Sequence, residues 1–145
     1  MQQQYNTWKQ RPPPHDNQHK HKKILLVDDE PDVCLLYQIV LKDARYECNS
    51  YIDPIKALDE FRADYYGLVL LDIKMPKLNG LELCRFIREQ DKSVKIIFIT
   101  AAAEFFYEQF RSQQYPDLSD IHYIQKPIGN EDLVKRVNTI IKQWI

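Results

Sequence analysis

Three carboxylates, a hydroxyl and an amine stand at the ends of short apolar runs in this chain. Ile24-Leu-Leu-Val27 runs into Asp28-Asp29, and Leu68-Val-Leu-Leu71 runs into Asp72. Val94 to Ile99 ends on Thr100, and Ile121-His-Tyr-Ile124 stops just before Lys126. Neighbouring carboxylates repel one another, which raises their proton affinity unless a cation joins them. Lys126 could offset one such charge and a divalent ion two more. The spacing therefore asks for an acidic, cation-dependent site, provided the fold brings these ends together.

The elements that must do so can be outlined from periodicity. Each apolar run is too short for a helix and fits a buried strand. After Asp28-Asp29-Glu30, Pro31 suits a first helical turn, and Val33, Leu36, Tyr37, Val40 and Leu41 recur at helical spacing to about Asp43. Residues 46–52 form a further expected strand. Asp53-Pro54 then reads as an N-cap with proline at the first helical position, opening a helix through Ile55, Leu58 and Phe61 to about Asp64. Met75-Pro76 and Asn79-Gly80 make a loop after Asp72, and a helix with Leu81, Cys84 and Ile87 follows it. A helix is expected over residues 101–113, and a strongly amphipathic one carries Leu133, Val134, Val137, Ile140, Ile141 and Trp144.

Strands alternating with helices in this way give an α/β fold, a doubly wound five-stranded parallel sheet. In the flavodoxin-like order 2-1-3-4-5 the first and third strands lie side by side, with a ligand crevice at their carboxyl ends. Asp28, Asp29, Asp72, Thr100 and Lys126 then share one sheet edge.

Composition sets the outer bounds. A chain of 145 residues, 44% hydrophobic and 28% charged, suits one soluble globular domain. No apolar run approaches the roughly 20 residues that span a bilayer, and the polar N-terminus carries no secretory pattern. Cys34, Cys48 and Cys84 lack metal-ligand spacing and are expected to pack as small hydrophobes in a reducing cytoplasm. The net charge of −1 hides a split: residues 1–23 carry five cations against Asp16, leaving 15 basic and 20 acidic residues beyond. An acidic domain is a poor nucleic-acid binder. Residues 1–22, rich in Gln, Asn, Lys and His around Pro12-Pro-Pro14, read as a disordered tail ahead of a domain over 23–145. His15, His19 and His21 fit solvated tail residues better than a metal site.

Together these residues resemble a response-regulator receiver domain, the phosphoaccepting unit of two-component signalling. The resemblance covers about residues 23–145 and rests on Asp28-Asp29, Asp72…Met75-Pro76…Gly80, Thr100-Ala101, Tyr123 and Lys126-Pro127. It implies that Asp72 accepts a phosphoryl group from a histidine kinase or phosphotransfer protein. It also implies Mg²⁺, held directly by Asp29 and Asp72, by Asp28 mostly through water, and by the Lys74 carbonyl. Lys126 and the ion would stabilise phosphoryl oxygens, the Thr100 hydroxyl and Ala101 N–H would bind the product, and Thr100 with Tyr123 would form the switch. Such a protein is no enzyme beyond its own phosphorylation and dephosphorylation. Its output would pass through the helix over 101–113, the fifth strand and the C-terminal helix, to a downstream protein or a phosphorylation-dependent homodimer. No membrane or nucleic-acid partner is implied.

Several features bear on that expectation. A haloacid-dehalogenase-type hydrolase also uses a strand-end aspartate but needs a second one two residues later, where Lys74 stands. The segment before Tyr123 lacks the glycine usual in the family and looks a few residues long. With no further domain after Ile145, the expectation is a stand-alone switch, the alternative being a phosphate-independent interaction module on the same fold. Lys74 and Ala102 occupy the variable positions two residues beyond Asp72 and Thr100. Phe105, Phe106 and Tyr107 sweep too much of a helix for all three to be buried, and Phe105 is expected to face solvent.

Overall fold

Residues along β1, β3 and β4 are apolar at nearly every position because both faces of the sheet are covered. The computed structural model describes residues 20–101 and 121–142. Their elements follow as β1 (Lys23–Val27), α1 (Pro31–Asp43), β2 (Glu47–Tyr51), α2 (Pro54–Glu60), β3 (Leu68–Leu71), α3 (Gly80–Gln90), β4 (Lys95–Thr100), β5 (Ile121–Gln125) and α4 (Asn130–Lys142). The strands form one sheet in the order β2-β1-β3-β4-β5, all neighbours parallel. This is the expected doubly wound topology.

Alternation along the strands sorts the core into two layers. Ile24, Leu26, Leu68, Leu70, Ile97 and Ile99 pack under α1 and α4. Leu25, Val27, Val69, Leu71, Ile96 and Phe98 pack under α2 and α3. Each fully buried side chain of this size contributes roughly 1.5–3 kcal/mol. Cys34, Cys48 and Cys84 are buried free thiols, and burial pushes Cys48 and Cys84 up to about 12. They serve as packing groups.

Two boundaries differ from the periodicity. Helix α2 stops at Glu60 rather than near Asp64, because Phe61 turns extended and stacks on Tyr66 at 5.9 Å between ring centroids. Burying that ring in the lower layer outweighs another helical turn. Lys20 and His21, assigned to the tail by composition, form a helical turn leading into β1. Lys20 Nζ lies 2.6 Å from Asp64 Oδ1. A Cβ on Gly67 would come within 2.6 Å of the Lys20 carbonyl oxygen, so this turn seats against a glycine. Ala102, Phe105, Phe106 and Tyr107, with the rest of the helix expected over 101–113 beyond Ala101, and Trp144, lie outside the described residues.

Asp91 closes α3 and is buried. Its carboxylate accepts from the backbone N–H groups of Asp64 at 2.9 Å, Ser93 at 3.0 Å and Val94 at 3.1 Å. Burial alone would raise its pKa, but these hydrogen bonds together hold it below the usual carboxylate value. A depressed folded pKa stabilises the fold above the unfolded value, near pH 3.9, and that stability disappears as pH falls through the folded value. Asp91→Ala is expected to cost about 1–3 kcal/mol at pH 7, since the buried Val94 amide and the part-buried Asp64 and Ser93 amides lose their acceptor. In urea unfolding the gap to wild type should narrow as pH falls below about 3.9.

Candidate functional site

Strand register brings the polar groups to one edge. Val27 is the Cα partner of Leu71, so Asp28 and Asp72 each stand one residue beyond a matched pair. The Asp72 N–H donates to the Val27 carbonyl at 2.9 Å, and the Asp28 N–H to the Tyr51 carbonyl at 3.1 Å. Thr100 pairs with Gln125, and the next amide, Lys126 N–H, donates to the Thr100 carbonyl at 2.9 Å. Consecutive parallel strands thus deliver two acids, a hydroxyl and a lysine within one or two residues of the same edge.

Side chains then converge across it. The Lys126 ammonium lies 2.8 Å from Asp28 Oδ2, 3.3 Å from Asp72 Oδ2 and 3.7 Å from Glu30 Oε1. Asp28, Asp29 and Asp72 each offer a carboxylate oxygen within 4.8 Å of the others. A cleft of about 460 Å³ opens over them, lined by Asp29, Glu30, Asp72, Lys74, Thr100 and Lys126 among others. Asp72 and Thr100 line the cleft from the sheet edge and are 5% and 2% exposed.

The acids are not used up by helix capping. Glu30 is the N-cap of α1 and makes no side-chain capping bond, while Asp28 Oδ1 accepts the Glu30 N–H, two residues on, at 3.0 Å. Asp72 Oδ1 accepts the Ile73 N–H at 2.8 Å, leaving Oδ2 toward Lys126. Burial pushes the Asp72 carboxyl above the usual range; Lys126 partly offsets this and the Asp28 charge adds to it. Burial works against the Lys126 ammonium too, yet its hydrogen bond to Asp28 and the charges of Asp28 and Asp72 leave its pKa raised. One lysine shared by three carboxylates leaves net negative charge.

The donor set fits a hard divalent cation. Oxygens spread over 4.8 Å allow one small ion to take some carboxylates directly and another through water, which is the habit of Mg²⁺. Lys74 borders the cleft and is exposed. Tyr123, by contrast, does not line the cleft: it is 38% exposed on β5, where Arg136 Nη2 donates to its carbonyl at 3.2 Å. Glu30 was not singled out from sequence, although its place directly after the acid pair was the available signal.

Helix α3 holds the floor of the loop after Asp72. Asn79 and Glu82 form a reciprocal capping box, with Glu82 N–H donating to Asn79 Oδ1 at 2.9 Å. The helix begins on Gly80 itself, one residue earlier than the loop-glycine reading placed it. Gly80 N–H donates to the Ile73 carbonyl at 2.7 Å.

Fold and cleft define a doubly wound α/β domain that gathers acids and a lysine around one strand-end aspartate. Residues 24–138 match the family model of the response regulator receiver domain. The chain belongs to that family, whose members act in phosphorylation-dependent two-component signalling. It is 34% identical over 121 residues to the response regulator ArlR of Staphylococcus aureus, a match covering 83% of this chain and 53% of ArlR. The chain thus spans about half the length of the curated relatives it matches. The non-phosphorylated HemR receiver domain from Leptospira biflexa is similar at a TM-score of 0.71 and 25% identity, covering 82% of this chain and 93% of that one. The chemotaxis protein CheY4 of Vibrio cholerae shares the fold, with a TM-score of 0.68 at 24% identity and coverage of 81% and 97%. Among the described residues no helix is long and apolar enough to cross a membrane.

Proposed function

We propose that this chain is a cytoplasmic switch that takes a phosphoryl group on Asp72 from a histidine kinase or phosphotransfer protein. The observation that carries this reading is the buried Asp72 carboxylate, set 3.3 Å from the Lys126 ammonium beside Asp28 and Asp29. Asp72 Oδ attacks phosphorus, the bond from phosphorus to the donor nitrogen breaks, and its electron pair returns to the donor imidazole. Lys126 moves from pairing with Asp72 to pairing with a phosphoryl oxygen. The Thr100 hydroxyl and the Ala101 N–H hydrogen-bond the phosphoryl group in the product. Asp29, Asp72 and the Lys74 carbonyl would hold Mg²⁺ directly, with Asp28 mostly through water. When bound, the ion supplies charge neutralisation at the phosphoryl oxygens.

Thr100 is then drawn toward the phosphoryl group, vacating space for the Tyr123 ring to turn inward from its exposed position. That exchange is a two-state equilibrium biased by one local bond. The altered surface around β5 and α4 would engage a downstream protein or a second copy of the chain. Incubation with acetyl phosphate and Mg²⁺, followed by intact mass measurement, should show one added phosphoryl group. A protein that never gains it would point to a phosphate-independent interaction module.

Lys74 bears on how long the signal lasts. Its ammonium can pair with the phosphorylated Asp72 and obstruct the attacking water. Lys74→Ala is expected to shorten the half-life of the phosphorylated protein about two- to fivefold, the range a solvent-screened pair supports. Decay followed by intact mass in the two proteins provides the comparison, and equal half-lives would exclude Lys74 from the step.

A further inference from the structure

Among the described residues, the β4–β5 ladder ends with the main-chain bond from Lys126 N–H to the Thr100 carbonyl at 2.9 Å. A side chain adds to it there. Gln125 Nε2 donates to the Ala101 carbonyl at 2.6 Å and to the Lys126 carbonyl at 3.1 Å. Gln125 is also the Cα partner of Thr100, so one amide spans the end of the ladder. It joins the residue after Thr100 to the residue that carries the site's ammonium. The side chain itself is exposed and makes no contribution to the core, so packing does not account for its placement.

We propose that Gln125 is a positioning residue, a clamp that holds the Thr100-Ala101 backbone against the Lys126-Pro127 bend in the unphosphorylated arrangement. The inference rests on the reading that Asp72 is phosphorylated and Thr100 then moves. The Ala101 carbonyl is held by the clamp and the Ala101 N–H is wanted by the phosphoryl group. Moving Ala101 toward the phosphoryl group carries along the carbonyl of the peptide that follows it, and this strains or breaks the bond from Gln125. The clamp therefore favours the resting state and sets the threshold for switching. A single hydrogen bond of this kind shifts such an equilibrium roughly two- to tenfold.

The test uses Gln125→Met, which keeps length and removes both donors, with Gln125→Ala as a second variant. Beryllofluoride with Mg²⁺ serves as the phosphoryl mimic, and amide hydrogen exchange at Lys126 reports the ladder's end. Both variants are expected to bind the mimic roughly two- to tenfold more tightly and to exchange the Lys126 amide faster by a similar factor. The melting temperature should fall only by the few degrees that one such bond accounts for, and amides of the β3 core should exchange faster by no more than the same factor, which separates a clamp from general loosening. Unchanged or weaker binding of the mimic, or unchanged exchange at Lys126, overturns the clamp while leaving phosphorylation of Asp72 standing. Wild type that neither binds the mimic nor gains a phosphoryl group from acetyl phosphate overturns the underlying reading and the clamp with it.

Discussion

Asp72→Asn is expected to gain no phosphoryl mass from acetyl phosphate and Mg²⁺ under conditions that fully modify wild type. The amide keeps the shape of the carboxylate and an oxygen for the Ile73 N–H, 2.8 Å away in wild type, but it is not a nucleophile. The fold should tolerate the change. Burial raises the Asp72 pKa, and an acid with a raised folded pKa loses stability for the fold as pH climbs past its unfolded value. Asn removes that penalty. Lys126 keeps Asp28 at 2.8 Å, so its ammonium is not left unpaired. Metal-free Asp72→Asn should therefore melt at or above the wild-type temperature at pH 7. Unmodified mass with an intact melting transition would place the acceptor at Asp72. A phosphoryl group on the variant would place it elsewhere.

What could be read from the chain was whatever depends on order along it. Apolar runs ending on Asp28-Asp29, Asp72 and Thr100 were visible because a buried parallel strand is continuously apolar and announces its own end. Parallel pairing then carries every such end to one edge, and the observed register of Val27 with Leu71 and Thr100 with Gln125 does so. Less legible was anything set by a neighbour distant in sequence. Phe61 continued a helical pattern, and only the Tyr66 ring explains why it leaves the helix. Lys20 and His21 looked like a solvated tail because the Gly67 notch that receives them belongs to another element. Gln125 carries no signal at all until the Ala101 carbonyl lies beside it.

Gly80 shows the same division most sharply, and its substitution carries the largest expected effect on stability. An Asn-Gly pair marks a loop, where glycine commonly supplies backbone freedom. Among the described residues no glycine has a positive φ, so freedom is not its use here. Space is. A Cβ at position 80 would lie 2.1 Å from the Asp72 carbonyl oxygen and 2.9 Å from the Ile73 Cα, both backbone atoms that no rotamer change can withdraw. Alanine gains about 1 kcal/mol of helix propensity at best. Overpacking against backbone costs about 3 kcal/mol, so the loss wins and the melting temperature should fall by roughly 5–10 °C. The nearest displaced atom is the carbonyl oxygen of Asp72 itself, so phosphorylation should slow even where the protein remains folded. Asn79→Ala supplies the control, since it breaks the capping box for about 1 kcal/mol without approaching Asp72. Denaturation curves and phosphorylation rates measured on both variants distinguish the two. Loss of stability in both, with slowed phosphorylation only in Gly80→Ala, is the expected pattern. A Gly80→Ala protein that melts and reacts like wild type would mean that α3 does not buttress the acceptor.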